Sequence, residues 1–261
     1  MRREMSVSGT FYPSRALELE RYFEHFSKMY DEVSLLPDVK SRAVIVPHAG
    51  YVYSGYTANI AYRVLQKSGI KTFVVIGPSH RVAYEGVSLC DFSSYATPFA
   101  PTAAATKLTQ SLKEMFALPC YLQAHAEHST EVQFPFIKYY FEEASLLELV
   151  YSHMNPHALS EIVDFLLSKE DVGVIISTDL SHFYALEEAL KLDTICLEAV
   201  KELDVGLLHN GCEACGRIGV EAMLLSAKKL GLHPHILDYS TSADASDDTS
   251  RVVGYVSACF V

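Results

Sequence analysis

Phe73-Val74-Val75-Ile76-Gly77-Pro78-Ser79-His80 is the stretch on which the fold turns. Phe73 to Ile76 are all large and apolar, so they show neither a helical stripe nor an in-out alternation. A short β-branched run of this kind fits a strand of a parallel sheet buried on both faces. It stops on Gly77 and Pro78 and is followed by a histidine. Three more runs share the pattern. Ala43-Val44-Ile45-Val46-Pro47 leads to His48, and Val172-Gly173-Val174-Ile175-Ile176-Ser177 leads to Asp179 and His182. His235-Ile236-Leu237-Asp238-Tyr239 leads through a Ser/Thr stretch to Asp244. Parallel sheets bind their ligands just beyond the carboxyl ends of the strands. These polar tips are therefore expected along one edge of one sheet.

Working outward, apolar spacing predicts helices over 14–30, 56–68, 103–116, 130–143, 184–203 and 214–231, and one from Asn155-Pro156 to 168. Strands are predicted over 43–47, 72–77, 86–90, 146–151, 172–177 and 234–240, with a last edge or near-edge strand over 251–260. The segment from His48 to Gly55 reads as a glycine-punctuated loop. Helices alternate with strands from end to end, with no repeat and no linker. The expected architecture is one α/β sandwich domain over 1–261, with a central sheet that is mainly parallel or mixed.

The chain has 261 residues, and 49% of them are hydrophobic, enough for one large core. A net charge of −11 without Lys/Arg clusters argues against nucleic acid and anionic membranes as partners. No run approaches the ~18 continuous apolar residues of a membrane span. The start, Met1-Arg2-Arg3-Glu4-Met5, has no apolar segment behind it, so no secretory signal is expected and the location is read as cytoplasmic. Cys90, Cys120, Cys196, Cys212, Cys215 and Cys259 are scattered rather than spaced as a disulfide framework. Cys212-Glu213-Ala214-Cys215 lacks the preceding strand of a redox pair, so these cysteines are read as partly buried thiols at a helix start.

Two histidines and a carboxylate leave open positions on a metal, the arrangement typical of non-haem Fe(II) oxygenases. His48, His80 and Asp244 are the expected ligands. Asp179 and His182 stand beside them, as a fourth ligand or as proton-handling neighbours. Fe(II) is the first choice of metal, with Zn or Cu as the other candidates. Taken singly, each residue reads as a solvated loop group; their coincidence at strand ends is what points to a site. Glu127 and His128 form a separate acid-base pair before a helix, where Ser129 and Gln133 also read as an ordinary capping box. Tyr51 and Tyr53 flank the His48 segment, and with Ser79 they are the expected substrate pocket. The two tyrosines also suit core anchors.

Taken together, several short motifs resemble the Memo family. They are Gly9-Thr10-Phe11-Tyr12-Pro13, Pro47-His48-Ala49-Gly50-Tyr51 and Gly77-Pro78-Ser79-His80. Glu127-His128-Ser129, Ser177-Thr178-Asp179-Leu180-Ser181-His182, Cys215-Gly216-Arg217 and Thr241-Ser242-Ala243-Asp244 complete the series, in order, over nearly the whole chain. The resemblance implies a fold shared with class III extradiol dioxygenases, whose iron sits on two histidines and a carboxylate. It implies a metal pocket at His48, His80 and Asp244, with Asp179 and His182 adjacent. It also implies a homo-oligomer and a functional link to a radical-SAM protein. Three functions follow as expectations. The first is a non-haem iron, dioxygenase-like redox enzyme acting on a small molecule, with His182, His128, Glu127 and Asp179 handling protons. The second is a binding module for a peptide or phosphorylated ligand. The third is a zinc-dependent hydrolase.

Overall fold

The continuous apolar runs become the middle of one sheet. The computed structural model describes residues 1–261. Its strands are β1 (Arg2–Arg3), β2 (Ala43–Val46), β3 (Thr72–Pro78), β4 (Val87–Ser88), β5 (Ser94–Tyr95), β6 (Thr102–Ala104), β7 (Ser145–Tyr151), β8 (Val172–Ser177), β9 (His182–Tyr184), β10 (Pro234–Thr241) and β11 (Val252–Phe260). They are ordered β1-β5-β6-β7-β3-β8-β2-β11-β10, with β4 on β7 and β9 on β11. From β6 to β2 neighbouring strands run parallel, and β11 is antiparallel to both β2 and β10. The domain is a mixed α/β sandwich whose open sheet is mostly parallel, as the alternation of elements predicted.

The pleat explains why every residue of a central strand is apolar. Ala43, Ile45, Val74, Ile76, Val174 and Ile176 enter one core. Val44, Val46, Phe73, Val75 and Ile175 point into the other. The helices are α1 (Ala16–Val33), α2 (Tyr51–Leu65), α3 (Thr106–Phe116), α4 (His128–Glu131), α5 (Phe134–Tyr140), α6 (Pro156–Leu167), α7 (Leu186–Glu202), α8 (Val205–His209), α9 (Arg217–Leu230) and α10 (Ala243–Ser246). Helices α3, α6, α7, α8 and α9 cover the first core, and α1, α2 and α5 cover the second.

Two expectations change. Helix α2 begins at Tyr51, so the segment read as a loop is largely helical. Gly55 marks close packing instead: a Cβ there would sit 2.7 Å from Phe26, so the glycine lets α1 and α2 approach. The run expected over 130–143 splits into α4 and α5, because Pro135 falls in the first turn of the second helix, where its missing N–H costs nothing. The 251–260 segment is indeed near-edge, as β11, one strand in from β10.

The cysteine reading is corrected. Cys90 pairs with Cys120, and Cys196 with Cys212, closing separations of 30 and 16 residues. Disulfides persist mainly in oxidising surroundings. No helix is long and apolar enough to cross a membrane.

A buried ionic network ties the N-terminal segment to the sheet. Glu148, fully buried on β7, meets His125 Nδ1 at 2.6 Å, Arg3 Nε at 3.5 Å and the Thr130 hydroxyl. Glu131, also fully buried, accepts the amides of Ser6 and Val7 at 2.8 Å, Tyr12 OH at 2.9 Å and Arg3 Nη1 at 3.0 Å. Buried carboxylates persist only when paired and hydrogen-bonded in this way.

Candidate metal centre

Strands β2, β3 and β8 run parallel and adjacent, so their carboxyl ends bring His48, His80 and Asp179 to one edge. The one-turn helix α4 docks against β3 and adds His128. One ligand atom from each of His48, His80 and His128 lies within 4.8 Å of the others. Small side-chain rotations bring such a set onto one ion with bonds of about 2.1 Å.

Each imidazole is oriented from behind. Glu127 caps α4 and accepts Nδ1 of His80 at 3.1 Å and Nδ1 of His128 at 2.8 Å, while His80 N–H donates to its other oxygen at 2.7 Å. The Ser177 hydroxyl donates to the Ser129 carbonyl and accepts from Gln133 Nε2 at 3.0 Å. Its proton is thereby committed, so the 3.0 Å contact with His48 must be Nδ1–H donating to Ser177 Oγ. Each ring is left with Nε2 as its ligand atom, and that of His48 meets the Cys215 thiol at 3.2 Å. Metal-binding histidines are normally held in this way, by an acceptor behind the ring that fixes tautomer and direction. The residues fit a divalent metal on that ground.

Burial would raise the Glu127 carboxyl, but hydrogen bonds from His128 and His80 reverse this and hold it well below the usual range. Burial, and the proximity of His80 and His128, depress His48 far below 6.5. Asp179 is raised by burial, although its Oδ1 accepts the His48 amide at 2.7 Å. Its Oδ2 lies 3.9 Å from His48 Nε2. Cys215 is the free thiol of the site: Sγ stands 3.2 Å from His48 Nε2 and accepts the Asp179 amide at 3.3 Å. Burial first, and Asp179 second, push the thiol up to about 12.

A family model described as Memo-like protein matches residues 3–259. The chain belongs to the Memo family. It is 32% identical over 283 residues to a MEMO1 family protein of Sulfurisphaera tokodaii, covering 100% of this chain and 99% of that one. It is 32% identical over 270 residues to one of Aquifex aeolicus, covering 99% of each. A MEMO1 family protein of Thermoplasma volcanium is 32% identical over 269 residues, covering 98% of this chain and 97% of its own.

In this Memo-family chain the histidine cluster differs from the ligand set expected from sequence. Asp244 is at the same sheet edge but outside the cluster. It sits on exposed α10, and its Oδ2 accepts the Thr241 amide at 2.6 Å. Strand β11 lies between β10 and β2, which sets the two tips about 10 Å apart laterally. His128, read as half of an acid-base pair, stands where a third ligand would. Its partner Glu127 orients the rings. His182 begins β9, half-buried and close enough to lower His48 electrostatically. Tyr51 is a core anchor, 2% exposed with its OH on the Val132 carbonyl, and is not among the residues lining the cavity at His80. Tyr53 is exposed on the first turn of α2. Ser79 Oγ donates to the Val82 carbonyl at 2.7 Å and lines a cavity beside His80.

Sequence reasoning missed Cys215, Ser177 and Phe11, whose ring packs at a tilt against that of His128 with centroids 4.8 Å apart. Gly216 was a signal for the first. A Cβ there would lie 2.7 Å from Thr178 and 2.8 Å from the Ser177 carbonyl, so only glycine lets Cys215 settle against the end of β8.

The neutrality of His48 has a consequence for the metal-free protein. Unfolded, this imidazole takes up a proton below about pH 6.5; folded, it does not. The unfolded state then binds more protons, so stability falls as pH drops below that value, by up to about 1.4 kcal/mol per pH unit. Urea unfolding of wild type and His48→Gln across that range is expected to show the steeper pH slope in the wild type. Equal slopes would rule out a neutral, buried His48.

Proposed function

We propose that this Memo-family protein is a metal-dependent redox enzyme of dioxygenase-like type that acts on a small molecule at His48, His80 and His128. The observation that carries the reading is the convergence of three imidazoles, one ring nitrogen of each within 4.8 Å of the others, with each ring tied at Nδ1 to a buried acceptor. Fe(II) is the proposed ion; Cu and Zn suit the same nitrogen and thiol donors. When bound, Fe(II) would supply a Lewis acid and a one-electron redox centre with open coordination positions.

The protein's own groups supply the rest. Glu127 stays anionic and balances the charge of the ion through two imidazoles. Asp179 combines burial, a raised carboxyl and a place beside His48, which suits it to hold and return a proton. Half-buried His182 is a second proton carrier facing the same group. Cys215 stands as a further donor to the ion, since binding would remove its proton.

The test is metal analysis of protein purified without oxygen, followed by oxygen-consumption assays with catechols. Near-stoichiometric iron with oxygen uptake is expected. Stoichiometric zinc with ester or amide hydrolysis would replace the redox reading by the hydrolase. A loaded or empty site that binds peptide without turnover would replace it by a binding module.

A further inference from the structure

A cavity of about 330 Å³ lies beside the histidine cluster. Its lining includes His80, Cys215 and the apolar Tyr151 and Ile218, together with the polar Arg81 and His153. Its size is at the small end for ligand pockets, of about 300–1,000 Å³. Two facts point to its occupant. Arg81 makes no ion pair anywhere in the protein. Arg81 is exposed, so its guanidinium stands solvated at the cavity and is free to take a ligand's charge. The turn that carries it is also locked. Ser79 Oγ donates to the Val82 carbonyl at 2.7 Å and accepts the Val82 amide at 3.3 Å, while the Ser79 amide is held by the Tyr151 carbonyl at 2.7 Å. Arg81 is therefore presented from a fixed backbone, which lowers the ordering cost of binding.

We propose that this cavity is the substrate pocket of the metal centre, and that it takes a small molecule with an apolar body and a terminal oxyanion, carboxylate or phosphate, held by Arg81. The opposite end of the ligand then lies against His80 and Cys215. The inference rests on the metal-dependent reading of the site, but Arg81 binding is separable from metal loading.

The experiment measures calorimetric binding of benzoate, phenyl phosphate and uncharged benzyl alcohol to metal-free and Fe(II)-loaded protein. Wild type is expected to prefer one or both anions over benzyl alcohol. Arg81→Gln should weaken the anions about tenfold or more, the loss of one charge-assisted partner, and leave benzyl alcohol unchanged. Arg81→Lys should fall between, keeping the charge without the planar fork. Tighter benzoate assigns a carboxylate substrate, and tighter phenyl phosphate a phosphate monoester. Equal anion binding by wild type and Arg81→Gln, or no anion binding in either metal state, overturns the proposal. Arg81-dependent binding that persists in a His48→Ala protein unable to load metal upholds the pocket even if the redox reading fails. Metal loading without Arg81-dependent binding upholds the centre and removes the pocket.

Discussion

Replacing His128 with alanine is expected to strip the metal from this protein, whereas Asp244→Ala should leave it in place. The ligand atoms of His48, His80 and His128 lie within 4.8 Å of one another. Asp244 is exposed, committed to the Thr241 amide and separated from β2 by β11. Loss of an orienting partner alone costs about 10–100-fold in metal affinity. Removing a ligand should exceed that, so His128→Ala, His80→Ala and His48→Ala are each expected to lose at least about 100-fold. Glu127→Gln, which keeps the shape but cannot accept from both His80 and His128 as an anion, should fall within the 10–100-fold range. Metal content after dialysis measures this, with near-ultraviolet circular dichroism confirming that the variants are folded. A His128→Ala protein that retained its metal, beside an Asp244→Ala protein that lost it, would restore the two-histidine, one-carboxylate set.

The second large effect is on stability. Glu131→Ala is expected to cost about 3–5 kcal/mol, because it leaves Arg3 buried with one of its two carboxylate partners gone. The amides of Ser6 and Val7 and the Tyr12 hydroxyl lose their acceptor in the same step. In a chain of this size the melting temperature should fall by roughly 10 °C or more. Glu131 is also the last residue of α4, the turn that begins with His128. The variant should therefore bind metal less tightly even where it is still folded. Thermal unfolding of metal-free and metal-loaded protein separates the two effects. A loss under about 1 kcal/mol would show that the network is dispensable.

The strand ends were legible because a parallel strand must be apolar on both faces and must stop before its polar tip. That rule located β2, β3 and β8, and with them His48, His80 and Asp179; β10, read the same way, is instead a half-buried edge strand antiparallel to β11. Helices α3, α6, α7 and α9 of the first core were legible from their spacing, whereas the five-residue α8 is too short to show a period. Tyr51 was misplaced because glycines beside it read as a loop, when Gly55 serves contact with Phe26. The two disulfides were not legible, because scattered cysteines say nothing about which pairs the fold brings together.

By itself, then, the sequence determined the layered α/β architecture, the family, and the sheet edge that carries the chemistry. These depend on local periodicity and on short ordered motifs, which are properties of neighbouring residues. Only the tertiary structure decided which tips meet. Strand order put β11 between β10 and β2, and so separated Asp244 from the histidines. The docking of a one-turn helix on β3 turned His128 inward, and the close approach allowed by Gly216 brought Cys215 beside His48. Ligand sets are chosen by distances between residues far apart in the chain. Strand order and docking fix those distances, and neither is written in any single stretch of sequence.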